Sequence, residues 1–534
     1  MGAEAGLARR PSRTEPVIAT ALRTADSAPA APRPRQPSRR TVALVPWAVA
    51  LAVGLWGIRR EGTLWGDEAA TYEIAHRSLS GIWRTLGHVD AVHGLYYLFM
   101  HAVFTLHDGG PATLRLPSVL AVSATAAGVA LLGHRLVGPR AGLLAGLVLP
   151  LIPAVQRYAQ EGRSYALVCA LVTWGTWLLI SRRWAAYTAV MLAAGLLHEF
   201  AALAVLAHGI TVFRWDRAGR LPGGGPGTSP GLRRSWLVAA ACVAAGLAPL
   251  AVFSLTQSSQ VEWIGLPRPG QLIAFAAVAA TGLACARIGT RETRTGETCA
   301  HRARTHETRT HEARTHEART PPDLRTVALP LLLAPAGLLM AVSYLHPLYV
   351  GRYVLFQAVG LALLLGSALD RLWSRAVALV AAAAALVALF PVGLPLRTPQ
   401  SRQNDVTAVS AAVAATARPG DGLLFAPARR RAWTFWHPGD YRALDDLALK
   451  RSPRASHSLY GTEQAPGEIR RRMLAHPRIV VISDLPGQPL DATAQEEIKR
   501  RTLHGYFTAC GSRRVTSALI TVYARAGGCP VARP

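Results

Sequence analysis

The stretch LWGDEAATYEI, residues 64 to 74, sets Asp67 beside Glu68. A positioned carboxylate can take a proton from a hydroxyl, an effect worth about a hundred- to ten-thousand-fold in rate. Other groups able to do chemistry follow at wide spacing: Arg115, then Glu161 and Arg163 in QRYAQEGRSYAL, then Arg352 and Tyr353 in HPLYVGRYVL. Guanidinium forks grip phosphate bidentately and stabilise the charge that a phosphate leaving group develops. Asp90, His93, Tyr96 and His198 add groups suited to lining a polar cleft. Each has a plainer alternative. Acidic residues suit a helix N-terminus, an arginine can anchor to headgroups or snorkel, and Glu161 and Arg163 can simply pair.

The elements that must position these residues are apolar. The chain has 534 residues, is 51% hydrophobic and carries a formal net charge of +27. Runs such as VALVPWAVALAVGLW and RAVALVAAAAALVALFPVGLPL approach the roughly 20 apolar residues needed to cross a bilayer. Apart from Lys450 and Lys499 the positive charge is arginine. The arginines cluster between apolar runs, where the positive-inside rule puts them, which argues against nucleic acid as a partner. The first 40 residues, rich in Arg, Pro, Ser and Ala, read as a disordered cytoplasmic tail.

Sides assigned from arginine give crossings at 42 to 58, 116 to 133, 141 to 156, 165 to 180, two between 184 and 213, then 236 to 254, 271 to 286, 326 to 345, 353 to 369 and 376 to 396. That is about eleven transmembrane helices, an α-helical polytopic membrane domain over 41 to 396 with the N-terminus in the cytoplasm. Residues 59 to 115 form a first external loop. Within it AVHGLYYLFMHAVFTL, 91 to 106, is apolar but lacks an inner basic flank, and we expect it to lie in the interface. Residues 287 to 325, containing THETRTHEARTHEART, form a basic low-complexity cytoplasmic loop; its histidines recur every five residues and share no helical face.

Residues 397 to 534 carry the strand-like runs DGLLFAP, RIVVISD and ALITVYA between helical segments, and read as an extracytoplasmic α/β domain. Cys510 and Cys529 share it, and a disulfide suits that compartment. On this map the unusual polar residues all fall on the outer side. Ionised groups at membrane depth cost about 2.5 to 3.5 kcal/mol each, so their gathering at one face points to a site.

WGDEAATYEIA, DAVHGLYYL, LRLPSVLA, QRYAQEGRSYAL, LLHEFAAL and HPLYVGRYVL, in that order over roughly 42 to 370, resemble the multi-spanning GT-C glycosyltransferases, in particular bacterial relatives of protein O-mannosyltransferases and aminoarabinose transferases. The resemblance implies a polyprenyl-phosphate sugar donor, mannose by default, an acceptor in the outer compartment, and inversion at the anomeric carbon. It implies Asp67 as base with Glu68 its neighbour, Arg115 near the donor phosphate, Glu161 and Arg163 bordering the cleft, and Arg352 with Tyr353 closing it. Asp90, His93, Tyr96 and His198 are expected in the acceptor cleft. Gly94 stands where the family often has proline, which loosens the start of that helix.

The partners expected are the lipid donor, the bilayer and an unspecified glycan, lipid or protein acceptor, at the cell membrane. No metal ligand set is expected and no cofactor is assigned; a divalent cation is left open. The competing reading is a transporter or flippase of lipid-linked sugars, which would bury its charges near the midplane and show inverted repeats; no such repeat is visible.

Overall fold

The computed structural model describes residues 2, 36 to 218, 231 to 288, 322 to 402, 404 to 525 and 527 to 529. The expected N-terminal tail falls almost wholly outside the described residues, and so does the THEART repeat.

Every apolar run assigned above lies on helix. α1 (Arg39–Leu55), α5 (Pro111–Leu136), α6 (Pro139–Val148), α7 (Pro153–Ala159), α8 (Tyr165–Ile180), α9 (Trp184–Leu197), α10 (Ala202–Ala218), α11 (Leu232–Leu255) and α12 (Pro269–Ile288) are followed by helices Leu324–Val342, Gln357–Arg371 and Arg375–Val387. Among the described residues six helical stretches are by themselves long and apolar enough to cross a bilayer. Counting α6 and α7, bent by 65° at their break, as one span makes seven. The chain is thus a polytopic helical membrane protein. The remaining runs are shorter, such as α9 with 14 residues.

With hydrocarbon on the outside, helices gain little by burying leucine and associate instead where small residues let backbones approach. Gly142 of α6 sits so close to α5 that a Cβ there would collide with the Ala130 carbonyl. A Cβ at Gly366 would likewise strike the Ala145 backbone. These two contacts seat α6 between α5 and helix Gln357–Arg371.

Between α1 and α5 the first loop folds into three helices. These are α2 (Gly66–Ala75), α3 (Leu79–Leu86) and α4 (Gly94–Leu106), the last being the apolar run expected in the interface. Asp90 enters α4 with φ of 59°, a left-handed conformation that aspartate tolerates better than most residues.

After helix Arg375–Val387 the chain goes on to build a mixed sheet with helices of its own. Strands β1 (Gly422–Ala426), β2 (Asp445–Asp446), β5 (Arg478–Asp484), β6 (Thr508–Val515) and β7 (Ala518–Ala524) lie in the order β2-β1-β5-β7-β6. β1 pairs parallel with β2 and β5, while β7 runs antiparallel to β5 and β6. Side chains alternate between faces at period two. Leu424, Ile479 and Val481 pack under Ile469, Met473 and Leu503 of the outer helices. Leu423, Phe425, Val480 and Ile482 pack the other way, against Val409 and Val413 of helix Val406–Thr416, and join the core that continues into the helical bundle. The runs DGLLFAP, RIVVISD and ALITVYA supply β1, β5 and β7; β6, a mostly exposed polar edge, is tied by the disulfide Cys510–Cys529.

The sheet domain is bolted to the first loop. The Asn404 side chain accepts from the Gly66 amide at 2.6 Å, and the Val406 amide donates to the Leu64 carbonyl at 3.1 Å. Arg454 meets Glu73 of α2 in a two-pronged ion pair, 2.6 and 2.9 Å.

Candidate active site

α2 begins at Gly66, so Asp67 and Glu68 both occupy its first turn. Successive helical residues point about 100° apart, and the two carboxylates therefore enter different surroundings. Glu68 turns inward and is fully buried. Arg115 of α5 donates to it through Nε at 2.8 Å and Nη2 at 2.7 Å, the Gly162 amide adds a bond at 3.1 Å, and Arg60 stands 3.7 Å away. Burial works against ionisation of Glu68, yet Arg115 and Arg60 hold its carboxyl down to about 2.

Arg115 is equally enclosed. Its Nη1 donates to the Ile58 carbonyl at 2.8 Å, and Nη2 donates also to the Thr63 carbonyl at 2.6 Å. The expectation that Arg115 meets a donor phosphate and that Glu68 works beside Asp67 in the cleft therefore meets a different geometry. Both are sealed into a clamp that ties α2, α5 and the turn before α8 together, because each satisfies the other's charge out of reach of solvent.

Asp67 turns outward. One third of its side chain (33%) is exposed, and it lies between two guanidinium groups, Arg163 at 3.7 Å and Arg352 at 3.8 Å. Both separations exceed hydrogen-bond length, so the carboxylate is flanked but not capped.

On one flank Arg163 donates to the Tyr97 hydroxyl at 3.0 Å and approaches Asp90 at 3.5 Å, and Tyr97 in turn donates to Asp90. The α11–α12 loop fixes that corner: Gln260 accepts from the Asp90 amide at 2.9 Å and Gln257 from the Ala91 amide at 3.1 Å. On the other flank the Arg352 guanidinium lies over the rings of Trp65, Tyr165, Trp263 and Tyr353 at 5.6 to 5.8 Å. Tyr353 stacks on Phe200 at 5.3 Å and approaches His198 at 4.6 Å.

His93 and His198 stand 5.5 Å apart, both buried, each with Nδ1 lacking a hydrogen-bond partner. Burial, reinforced for His93 by Arg163 and Arg352, pushes both imidazoles well below their usual range, so they are neutral and can each donate and accept. Glu161 is buried with one carboxylate oxygen unpartnered; burial raises its titration while Arg402 and Arg352 oppose the rise. Tyr96 is fully buried on α4 with its hydroxyl unpaired. Among the described residues no group of three or more His, Cys, Asp or Glu side chains could hold a metal ion.

Asp67, Asp90, Arg163 and Arg352 are thus brought together directly, with His93, His198 and Tyr353 beside them, while Glu68 and Arg115 stand behind. Residues missed from sequence include Arg60, Tyr97 and Asn404. Arg60 had a signal: with Arg59 it follows the first apolar run on the side that the charge reading assigns to the outside, where the charge rule disfavours an arginine without a partner. Asn404 had none, since its partner Gly66 lies 338 residues away.

The bundle of apolar helices, with its loops and appended sheet domain, shares the fold of a solved ArnT structure. ArnT from Cupriavidus metallidurans in the apo state matches 90% of this chain and 97% of its own length at 13% identity, TM-score 0.56. ArnT bound to undecaprenyl phosphate matches 91% and 98% at 13% identity, TM-score 0.49. The mycobacterial arabinofuranosyltransferase AftD matches 92% of this chain and 42% of its own at 18% identity, TM-score 0.44. No protein-family model and no curated relative matches the sequence.

Proposed function

We propose that the protein is a membrane glycosyltransferase that moves a sugar, with mannose the first candidate, from a polyprenyl-phosphate donor to an acceptor hydroxyl beyond the bilayer. The observation that carries this is Asp67, an open carboxylate set between two guanidinium groups that it does not neutralise by direct hydrogen bonds. The GT-C fold supports the same reading.

In the proposed step Asp67 accepts the proton of the acceptor hydroxyl. The hydroxyl oxygen forms a bond to the anomeric carbon as the bond from that carbon to the phosphate oxygen breaks. The lipid phosphate leaves with the electron pair, and Arg352 and Arg163 stabilise the charge it gains. One displacement inverts the anomeric centre. Neutral His93 and His198, with Tyr353, line the sugar. The Glu68–Arg115 clamp acts through position: it fixes the first turn of α2 and so the direction of Asp67. In the membrane we propose eleven crossings, an N-terminus in the cytoplasm, and the sheet domain outside a cell membrane.

Arg352→Gln tests the leaving-group role. It is expected to lower kcat by about a hundredfold, the scale of losing one preorganised contact to developing charge. The readout is initial turnover of labelled polyprenyl-phosphate mannose by protein in nanodiscs. A kcat within about twofold of wild type would remove Arg352 from that role.

A further inference from the structure

The helices that frame the cleft also meet at their other ends. Arg115 and Arg135 stand near opposite ends of the same helix, α5. At the helical rise they are about 30 Å apart, the thickness of a bilayer's hydrocarbon. The clamp around Arg115 therefore belongs to one headgroup layer and Arg135 to the other, which in the orientation proposed above is the cytoplasmic one. Arg39 opens α1 at that level, and Trp177 and Ser181 lie at the end of α8, whose first residue is Tyr165 beside the cleft.

There Trp177 carries two cations. The Arg135 guanidinium lies 5.1 Å from its ring centroid and the Arg39 guanidinium 5.7 Å. Arg135 is held in place: its Nη1 donates to the Ser181 hydroxyl at 2.6 Å and its Nη2 to the Ile180 carbonyl at 3.3 Å. Arg39 is exposed and free to swing. Bonds to a hydroxyl and a carbonyl leave the charge of Arg135 whole, and among the described residues neither guanidinium has a carboxylate within ion-pair distance. Other arginine–aromatic stacks are balanced. Arg140 over Trp373 pairs with Asp370 at 3.4 Å, and Arg233 over Phe213 pairs with Asp216 at 2.6 Å. The first turn of α1 holds no acidic residue either, although a helix N-terminus disfavours cations. Two like charges on one indole, with no acid to offset them, call for an anion from outside the chain.

We propose that Arg39, Arg135 and Trp177 form a seat for the phosphodiester headgroup of an anionic phospholipid. The seat goes beyond the transferase reading and does not depend on it. Guanidinium groups grip phosphate oxygens through paired N–H donors, and an interfacial indole lies level with the headgroups. Basic pockets between membrane helices on the cytoplasmic side take anionic headgroups for the same reason. A lipid suits the seat better than free phosphate, because α1 continues from Arg39 into Leu44 and Val45, both exposed, an apolar surface for acyl chains. A headgroup held there ties α1, α5 and α8 together at the end away from the cleft.

The test gives full-length protein in detergent micelles phosphatidylglycerol, phosphatidylcholine or inorganic phosphate. Native mass spectrometry counts retained lipid, and the thermal unfolding midpoint is followed in parallel. Wild type is expected to retain phosphatidylglycerol about tenfold more than phosphatidylcholine and to gain stability from the former alone. Arg39→Gln should cut that retention about fivefold, and Arg39→Gln with Arg135→Gln about twentyfold. Arg39→Gln changes an exposed side chain and should keep the wild-type midpoint in phosphatidylcholine, so its loss of retention reports binding and not folding. Arg140→Gln, whose charge Asp370 already offsets, should retain lipid within about twofold of wild type. Equal retention of the two lipids, unchanged retention in the double variant, or a loss with Arg140→Gln as large as with Arg39→Gln overturns the proposal. So does a midpoint raised as much by inorganic phosphate as by phosphatidylglycerol, which would make the seat one for a soluble anion.

Discussion

Asp67→Asn abolishes most sugar transfer: the expected loss is about a hundred- to ten-thousand-fold in kcat, the range for removing a general base. Asparagine keeps the shape and the two flanking arginines but cannot take a proton. Because the Asp67 carboxylate is partly exposed and its nearest charged partners stand 3.7 and 3.8 Å away, the exchange should move stability by about 1 kcal/mol or less. Labelled donor turnover and thermal unfolding, measured on one preparation, separate the two effects. Transfer within about tenfold of wild type would assign the base elsewhere, with Asp90 the next carboxylate along the cleft.

Glu68→Gln has the opposite signature: it attacks the fold first. It leaves the Arg115 and Arg60 guanidinium groups in a sealed space without their carboxylate, and stranding a buried charge costs about 3 to 5 kcal/mol. The expected result is a sharp fall in folded yield and unfolding temperature, with activity lost in proportion to folded protein. The double change Glu68→Leu with Arg115→Met should recover part of that loss, because it removes the guanidinium that is hydrogen-bonded to Glu68 and leaves only Arg60 without its carboxylate. A double variant no better than Glu68→Gln alone would show that the pair matters for something besides mutual neutralisation.

The same pair sets an acid limit. Glu68 titrates at about 2 in the folded chain against 4.5 for the free side chain, a depressed value. Its contribution is complete above the unfolded value and is lost as pH falls through the folded one, so the window of acid sensitivity runs from 4.5 down to about 2. In Glu68→Gln that part of the acid sensitivity should vanish.

How far residues alone lead is clearest at Asp67 and Glu68. That the carboxylate pair after the first apolar run is a candidate for a site was legible, because charge is costly near a bilayer and collects where it is used or paired. Which of the two faces the cleft was not legible, since one helical step separates them and the deciding partner, Arg115, lies 47 positions from Glu68. Helices followed from apolar length, and β1, β5 and β7 from short apolar runs between helical segments. The edge strand β6 did not, because its exposed polar residues carry no buried face.

Donor chemistry is the most direct test of the whole reading. Wild-type protein reconstituted in vesicles, given polyprenyl-phosphate mannose and octyl α-mannopyranoside, should release free polyprenyl phosphate and form a disaccharide in equal amounts, both detected by mass spectrometry. Donor that is carried across the vesicle bilayer with its sugar still attached, with no free polyprenyl phosphate formed, would contradict it and identify a lipid-sugar transporter instead.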